Sequence, residues 1–207
     1  MRMILARHAE TVFNAGARMQ GNMAHTPLTR AGIAQAEAMG VFLAQHLGQR
    51  PDLDIWASPS GRTLQTVAVV AEHLGVDFFD VRSDDRLLEI DVGDWQGRRY
   101  ADIVAEQGPI VCSERRVFNV PPPNGEYYPA IVTRLQTWLA DLVPSRDVLV
   151  VSHGITLRVL RGLLAGGAAF EGIALADDAP QGTVFEIVDG VQAALHQGGG
   201  FSGARAA

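Results

Sequence analysis

Met1-Arg2-Met3-Ile4-Leu5-Ala6-Arg7-His8-Ala9-Glu10-Thr11 opens the chain with a short apolar run that stops abruptly at a cationic pair. Apolar residues without polar alternation predict a first strand buried on both faces, ending where Arg7-His8 begins. A second run, Val148-Leu149-Val150-Val151, is the most hydrophobic in the chain and ends at Ser152-His153-Gly154. Two buried strands, each closing on a histidine, place both imidazoles at strand carboxyl ends. In open α/β sheets ligands bind just beyond those ends.

Working outward, Thr29 opens a helical pattern in which Ile33, Ala36, Gly40, Leu43 and Leu47 recur at spacings of three and four, with Gly48 as C-cap. Leu53 to Ala57 reads as a strand. Ser58-Pro59 follows it, then a helix carrying Leu64, Val67, Ala71 and Leu74 on one face. Val76 to Val81 reads as a third short strand. Periodicity weakens from Gly93 to Gly125, where Pro121-Pro122-Pro123 and Asn124-Gly125 mark an irregular loop. Ile131, Leu135, Trp138 and Leu142 define a further helix. Thr183–Val188 and Val191–His196 flank Asp189-Gly190, a strong hairpin signal. Alternating strands and helices predict an α/β fold: a three-layer α/β/α sandwich with a mostly parallel central sheet and a C-terminal edge hairpin. No repeat or linker divides the chain, so residues 1–197 read as a single domain. Residues 198–207, rich in Gly and Ala, read as a flexible tail.

Composition narrows the chemistry. The 207 residues are 47% hydrophobic and 19% charged, within the globular range. All 17 basic residues are arginine, and without lysine the chain cannot host a P-loop, a pyridoxal Schiff base or a Schiff-base aldolase. Cys112 is the single cysteine, so no internal disulfide is available. A net charge of −6 offers no general attraction to nucleic acid or to an anionic membrane, so an anionic substrate requires a local arginine cluster. No apolar run is long enough to span a bilayer and none reads as a signal peptide, which leaves the cytoplasm as the expected compartment.

Four segments can carry chemistry. An imidazole at His8 can serve as nucleophile, base or metal ligand, and Arg7 beside it offers a planar fork of donors suited to phosphate. Ser58-Pro59-Ser60-Gly61-Arg62-Thr63-Leu64-Gln65-Thr66 puts Arg62 at a helix N-terminus, where anions are already favoured. Leu88-Glu89-Ile90-Asp91-Val92-Gly93-Asp94-Trp95-Gln96-Gly97 supplies a carboxyl among apolar neighbours that can act as a general acid, with Asp91 and Asp94 as rivals to Glu89. His153 adds a second imidazole able to donate to a transferring phosphoryl group. His8, His153 and a carboxylate could also make a metal ligand set, but no HExxH pair accompanies them.

In order and together, these segments resemble the histidine phosphatase superfamily, also called phosphoglycerate mutase-like. RHAET is similar to its RHG-E-T signature and HTPLTRAGIAQA (His25 to Ala36) to its PLTxxGxxQA stretch. SPSGRTLQT, LLEIDVGDWQG and VVSHG resemble its later motifs. The resemblance implies a phosphohistidine on His8, with Arg7, Asn14, Arg62, His153 and Gly154 at the phosphoryl group. It makes Glu89 the group that protonates the leaving oxygen and then activates water, and it requires no metal or cofactor. One departure is Ala9 in place of the family's glycine, which would be strained at positive φ.

Hydrolase and mutase readings both follow from the resemblance. Arg115 and Arg116, before Val117-Phe118-Asn119-Val120 and the proline run, are similar to the cofactor-dependent phosphoglycerate mutase pattern and could bind a substrate carboxylate or second phosphate. With Arg98 and Arg99 they hint at a polyanion. EIDVGDWQG instead resembles the phosphatase branch, and the mutase's substrate-binding lysine is absent. The expectation is therefore a phosphomonoesterase acting on a small-molecule phosphate, with mutase-type transfer or an inactive phosphoester-binding module as alternatives. The edge hairpin is a possible surface for homo-oligomer formation.

Overall fold

A computed structural model describes residues 1–143 and 145–199. The chain runs β1 (Met3–Arg7), α1 (Val12–Ala15), α2 (Arg30–Leu47), β2 (Leu53–Ala57), α3 (Gly61–Leu74), β3 (Arg82–Ser83), α4 (Tyr100–Gln107), β4 (Val111–Cys112) and β5 (Val117–Phe118). It continues through α5 (Tyr128–Ala140), β6 (Asp147–Ser152), α6 (Gly154–Ala165), β7 (Ala168–Phe170), β8 (Ile173–Leu175), β9 (Val184–Val188) and β10 (Val191–His196).

The central sheet has six strands in the order β10-β9-β1-β6-β2-β3. β1, β6, β2 and β3 are parallel, and β9 joins β1 antiparallel, with β10 outside it. The expected mostly parallel sheet with an edge hairpin is what the chain forms. The hairpin turns through Asp189 at φ 49° and Gly190 at φ 77°, the two positive values that a two-residue type I′ turn needs.

Strand alternation divides the core into two layers. Ile4, Ala6, Leu149 and Val151 pack with Met39 and Leu43 of α2 and Val67, Val70 and Leu74 of α3. Met3, Leu5, Val148 and Val150 face the other way, onto Ile131, Leu135 and Trp138 of α5 and Leu157 and Leu160 of α6. Burial on both faces is why β1 and β6 lack polar alternation. Among the described residues no helix is long and apolar enough to cross a membrane.

Two expectations are corrected, and the question raised at Ala9 is answered. The third strand is not Val76–Val81: Asp77 accepts a hydrogen bond from Phe79 N and caps a 3-10 turn over Phe78–Asp80, so β3 starts only at Arg82, opposite Trp56. The stretch from Gly93 to Gly125 is not simply irregular, since it holds a 3-10 turn, α4 and the small hairpin of β4 and β5. Ala9 carries no positive φ, so the alanine replaces glycine without backbone strain. Residues 200–207 of the expected tail lie outside the described residues; Gly198 N donates to Thr183 Oγ1.

Candidate active site

β1 and β6 pair in register up to Arg7 opposite Ser152, so the next residues, His8 and His153, emerge side by side. Their ring centroids are 5.2 Å apart, edge to face. A cavity of about 200 Å³ opens beyond these strand ends, and Arg7, His8, Asn14, Arg62, Glu89 and Gly154 all line it. The location agrees with the rule for ligands of open α/β sheets.

His8 is almost fully buried and its Nδ1 lies 2.7 Å from the carbonyl of Ala9. A carbonyl oxygen can only accept, so Nδ1 carries the proton and Nε2 keeps its lone pair. Burial, then the charges of Arg62 and Arg7, hold this imidazole well below the usual histidine range. Desolvation is thus a larger cause than the neighbouring arginines. A neutral ring with one unprotonated nitrogen is the form a nucleophile requires.

Arg62, fully buried in the first turn of α3, is held from several sides. Its Nη1 donates to Thr26 Oγ1 at 2.8 Å and to the Met23 carbonyl at 3.1 Å, and its Nη2 to the Gly21 carbonyl at 2.7 Å. Nε donates to His153 Nδ1 at 3.1 Å. Burial pulls its pKa down to about 10, against the opposing pull of the Glu89 carboxylate, so it stays cationic at neutral pH.

Both nitrogens of His153 have protein partners. Nδ1 accepts from Arg62, which leaves Nε2 as the protonated nitrogen, and Nε2 lies 2.7 Å from Ser58 Oγ. The ring is fully buried and is not among the residues lining the cavity. Burial first, then Arg62 and His8, keep it neutral by lowering its pKa well below the normal value. It supports Arg62 from behind.

Arg7 donates through Nη1 to the Ala179 carbonyl and lies 3.4 Å from Asp178 Oδ1. Its Nε is buried with no hydrogen-bond partner among the described residues. Gly154 makes room for this guanidinium, because a Cβ there would sit 3.0 Å from Arg7 Cζ and Nη2. Asn14 turns its Oδ1 toward Thr11 N at 3.1 Å, leaving the amide nitrogen for the cavity.

The three rival carboxylates separate clearly. Glu89 accepts from the backbone nitrogens of Ile155 at 3.1 Å and Thr156 at 3.0 Å, at the N-terminus of α6. Those donors suit a carboxylate and fix its orientation at the cavity wall. Asp91 instead accepts from Gly93 N and Gln96, and Asp94 from Asn124; neither lines the cavity. Ser152 Oγ to the Leu87 carbonyl and Thr156 Oγ1 to the Leu88 carbonyl bind the Glu89 segment to β6 and α6.

Of the paired arginines, Arg116 reaches the cavity and Arg115 does not. Arg115 donates to the Ala169 carbonyl. Arg116 Nε lies 3.7 Å from Asp178 Oδ2, so Asp178 stands between Arg7 and Arg116. Sequence reading missed Asp178, together with the cavity residues Arg18 and Tyr100. Arg98 pairs with Glu106 outside the cavity, and Arg99 precedes α4 as its N-cap. Among the described residues no group of three or more His, Cys, Asp or Glu side chains could hold a metal ion.

A neutral imidazole, one buried and one part-buried guanidinium and a carboxyl group surround one cavity at strand carboxyl ends. Residues 3–190 match the model of the histidine phosphatase superfamily (branch 1), and the chain belongs to that family. It is 33% identical over 174 residues to a glucosyl-3-phosphoglycerate phosphatase of Mycobacterium tuberculosis, covering 79% of this chain and 74% of the relative. It is 34% identical over 170 residues to a 2,3-bisphosphoglycerate-dependent phosphoglycerate mutase of Methylobacterium sp., covering 79% and 80% respectively. In three dimensions it aligns with a mycobacterial glucosyl-3-phosphoglycerate phosphatase complexed with VO3 at a TM-score of 0.75 and 29% identity, over 89% of this chain and 91% of that one. The alpha-ribazole phosphatase of Shigella flexneri aligns at 0.72 and 26% identity, over 94% of each chain.

Proposed function

We propose that this chain hydrolyses phosphate monoesters through a phosphoryl group carried transiently on His8 Nε2. The observation that carries the proposal is the Nδ1 contact to the Ala9 carbonyl, which leaves a lone pair on Nε2 of a cavity-lining residue. In the first step Nε2 attacks phosphorus, a P–N bond forms and the P–O bond to the leaving alcohol breaks. Glu89 delivers a proton to the departing oxygen. In the second step Glu89, now a carboxylate, takes a proton from water as that water attacks phosphorus. The P–N bond breaks and inorganic phosphate leaves.

Arg7, Arg62 and the Asn14 amide bind the equatorial phosphoryl oxygens, where charge accumulates in the transition state. His153 contributes by fixing the Arg62 guanidinium through Nε. No cofactor or metal enters these steps. Both kinds of relative, phosphatase and mutase, share this first half-reaction in the proposal and differ in who accepts the phosphoryl group.

The test is trapping with a ³²P-labelled monoester by quenching in alkaline detergent, which preserves a P–N bond. Wild type is expected to give an acid-labile phosphoenzyme, and His8→Ala to give none while remaining folded. Wild-type turnover by His8→Ala would refute the mechanism. Incubation with 3-phosphoglycerate, with and without 2,3-bisphosphoglycerate, separates the two fates, since a mutase yields 2-phosphoglycerate and a phosphatase yields free phosphate.

A further inference from the structure

The cavity extends well past the phosphoryl end, and the chemistry of its walls changes along the way. Beyond His8 and Arg62 the lining is Phe13, Met19, Val92, Tyr100, Val111 and Phe118. Tyr100, Val111 and Phe118 come from α4, β4 and β5, the segment whose arginines had suggested a polyanion. In the folded chain that segment delivers aromatic and aliphatic side chains to the cavity, and of its arginines only Arg116.

Charge along the lining is of both signs. Four guanidiniums (Arg7, Arg18, Arg62 and Arg116) share the lining with two acidic residues. Glu89 enters the first step protonated, so Asp178 is the carboxylate that a bound substrate faces. A second anionic group on the substrate would meet this carboxylate, which lies 3.4 Å from Arg7 Nη1 and 3.7 Å from Arg116 Nε. Side-chain exposure of Asp178 is only 17%, so solvent screens it weakly.

We infer that the cavity selects monoesters of uncharged, apolar or aromatic alcohols over phosphates bearing a second anionic group, with Asp178 as the discriminating residue. This rests on the phosphatase reading above and names its substrate class. An apolar leaving group gains by leaving water against these walls. A carboxylate or second phosphate is repelled by Asp178, whose Oδ2 lies 3.7 Å from Arg116 Nε. The device is subtractive: it rejects one class through an unfavourable contact as well as favouring the other.

Two measurements test it on the intact chain. The first compares kcat/KM for phenyl phosphate and 3-phosphoglycerate, with a preference for phenyl phosphate of at least a hundredfold expected. The second compares binding of the non-hydrolysable benzylphosphonate and 3-phosphonopropionate by calorimetry, with benzylphosphonate expected to bind at least tenfold tighter. Asp178→Asn, which keeps the side-chain volume, is expected to narrow both ratios about tenfold by relieving the repulsion. Equal or better use of the carboxylate-bearing compounds by wild type overturns the inference. Unaltered ratios in Asp178→Asn overturn the part given to that residue. If neither phosphate is hydrolysed and benzylphosphonate still binds preferentially, the hydrolase reading fails while the selectivity stands.

Discussion

Acidification through the histidine range is expected to destabilise the fold by way of its two buried imidazoles. His8 and His153 are 2% and 0% exposed, and burial together with the neighbouring arginines lowers both pKa values well below 6.5. In the unfolded chain the same rings take up protons near pH 6.5. Below that pH the unfolded state therefore binds more protons than the folded one, and stability falls as pH falls. Well above pH 6.5 both rings are neutral in either state, and the contribution to stability is fully present. Each ring costs about 1.4 kcal/mol per pH unit between the unfolded and folded values, so the pair costs about 3 kcal/mol per unit. Against a typical domain stability of about 5–15 kcal/mol, one unit is a substantial loss. The assay is urea unfolding in phosphate-free buffer from pH 7.5 to pH 5, on wild type and His153→Gln. Glutamine keeps an acceptor for Arg62 Nε but cannot be protonated, so the variant's stability curve should be shallower by about 1.4 kcal/mol per unit below pH 6.5. Parallel curves for the two proteins would show that His153 is not held neutral by the fold, and the reasoning would fail.

Two further outcomes test other parts of the site. Glu89→Gln should lower kcat by about 10² to 10⁴ on alkyl phosphates and by much less on p-nitrophenyl phosphate, whose leaving group needs no proton; equal losses on both would remove Glu89 as the acid. Gly154→Ala places a methyl 3.0 Å from Arg7 Cζ and Nη2, so the guanidinium must give way by a few tenths of an ångström. Because small misplacements of a positioning group are costly, kcat/KM should fall about tenfold with the unfolding midpoint little moved, as steady-state kinetics and urea titration would show.

Legibility in the sequence followed the range of the interactions involved. β1, β6 and the Asp189-Gly190 hairpin were readable because their signals lie within a few adjacent residues. Val76–Val81 misled because its apolar residues look like a strand while Asp77 caps a turn. α4, β4 and β5 are too short for periodicity to reveal. Glu89 could not be told from Asp91 and Asp94 by neighbours that all three share; only the backbone donors of Ile155 and Thr156 distinguish it. Asp178 carried no local signal either, since its meaning is a contact with Arg7, 171 residues away. Arg7, His8, Arg62 and His153 were found because strand ends and helix starts are local features with a positional meaning. Which of the two histidines faces the cavity was not, because that depends on what Ser58 and Arg62 do to the second ring.

The hydrogen bond from His8 Nδ1 to the carbonyl of Ala9 has an evolutionary side. Many enzymes orient a catalytic imidazole with a carboxylate side chain, which a single codon change can erase. Here the acceptor belongs to the main chain, so the tautomer of the ring is inherited with the course of the backbone. Position 9 can drift from glycine to alanine without cost to that acceptor. To disturb it a mutation would have to bend the chain, for instance at Thr66, whose hydroxyl holds Ala9 N in place.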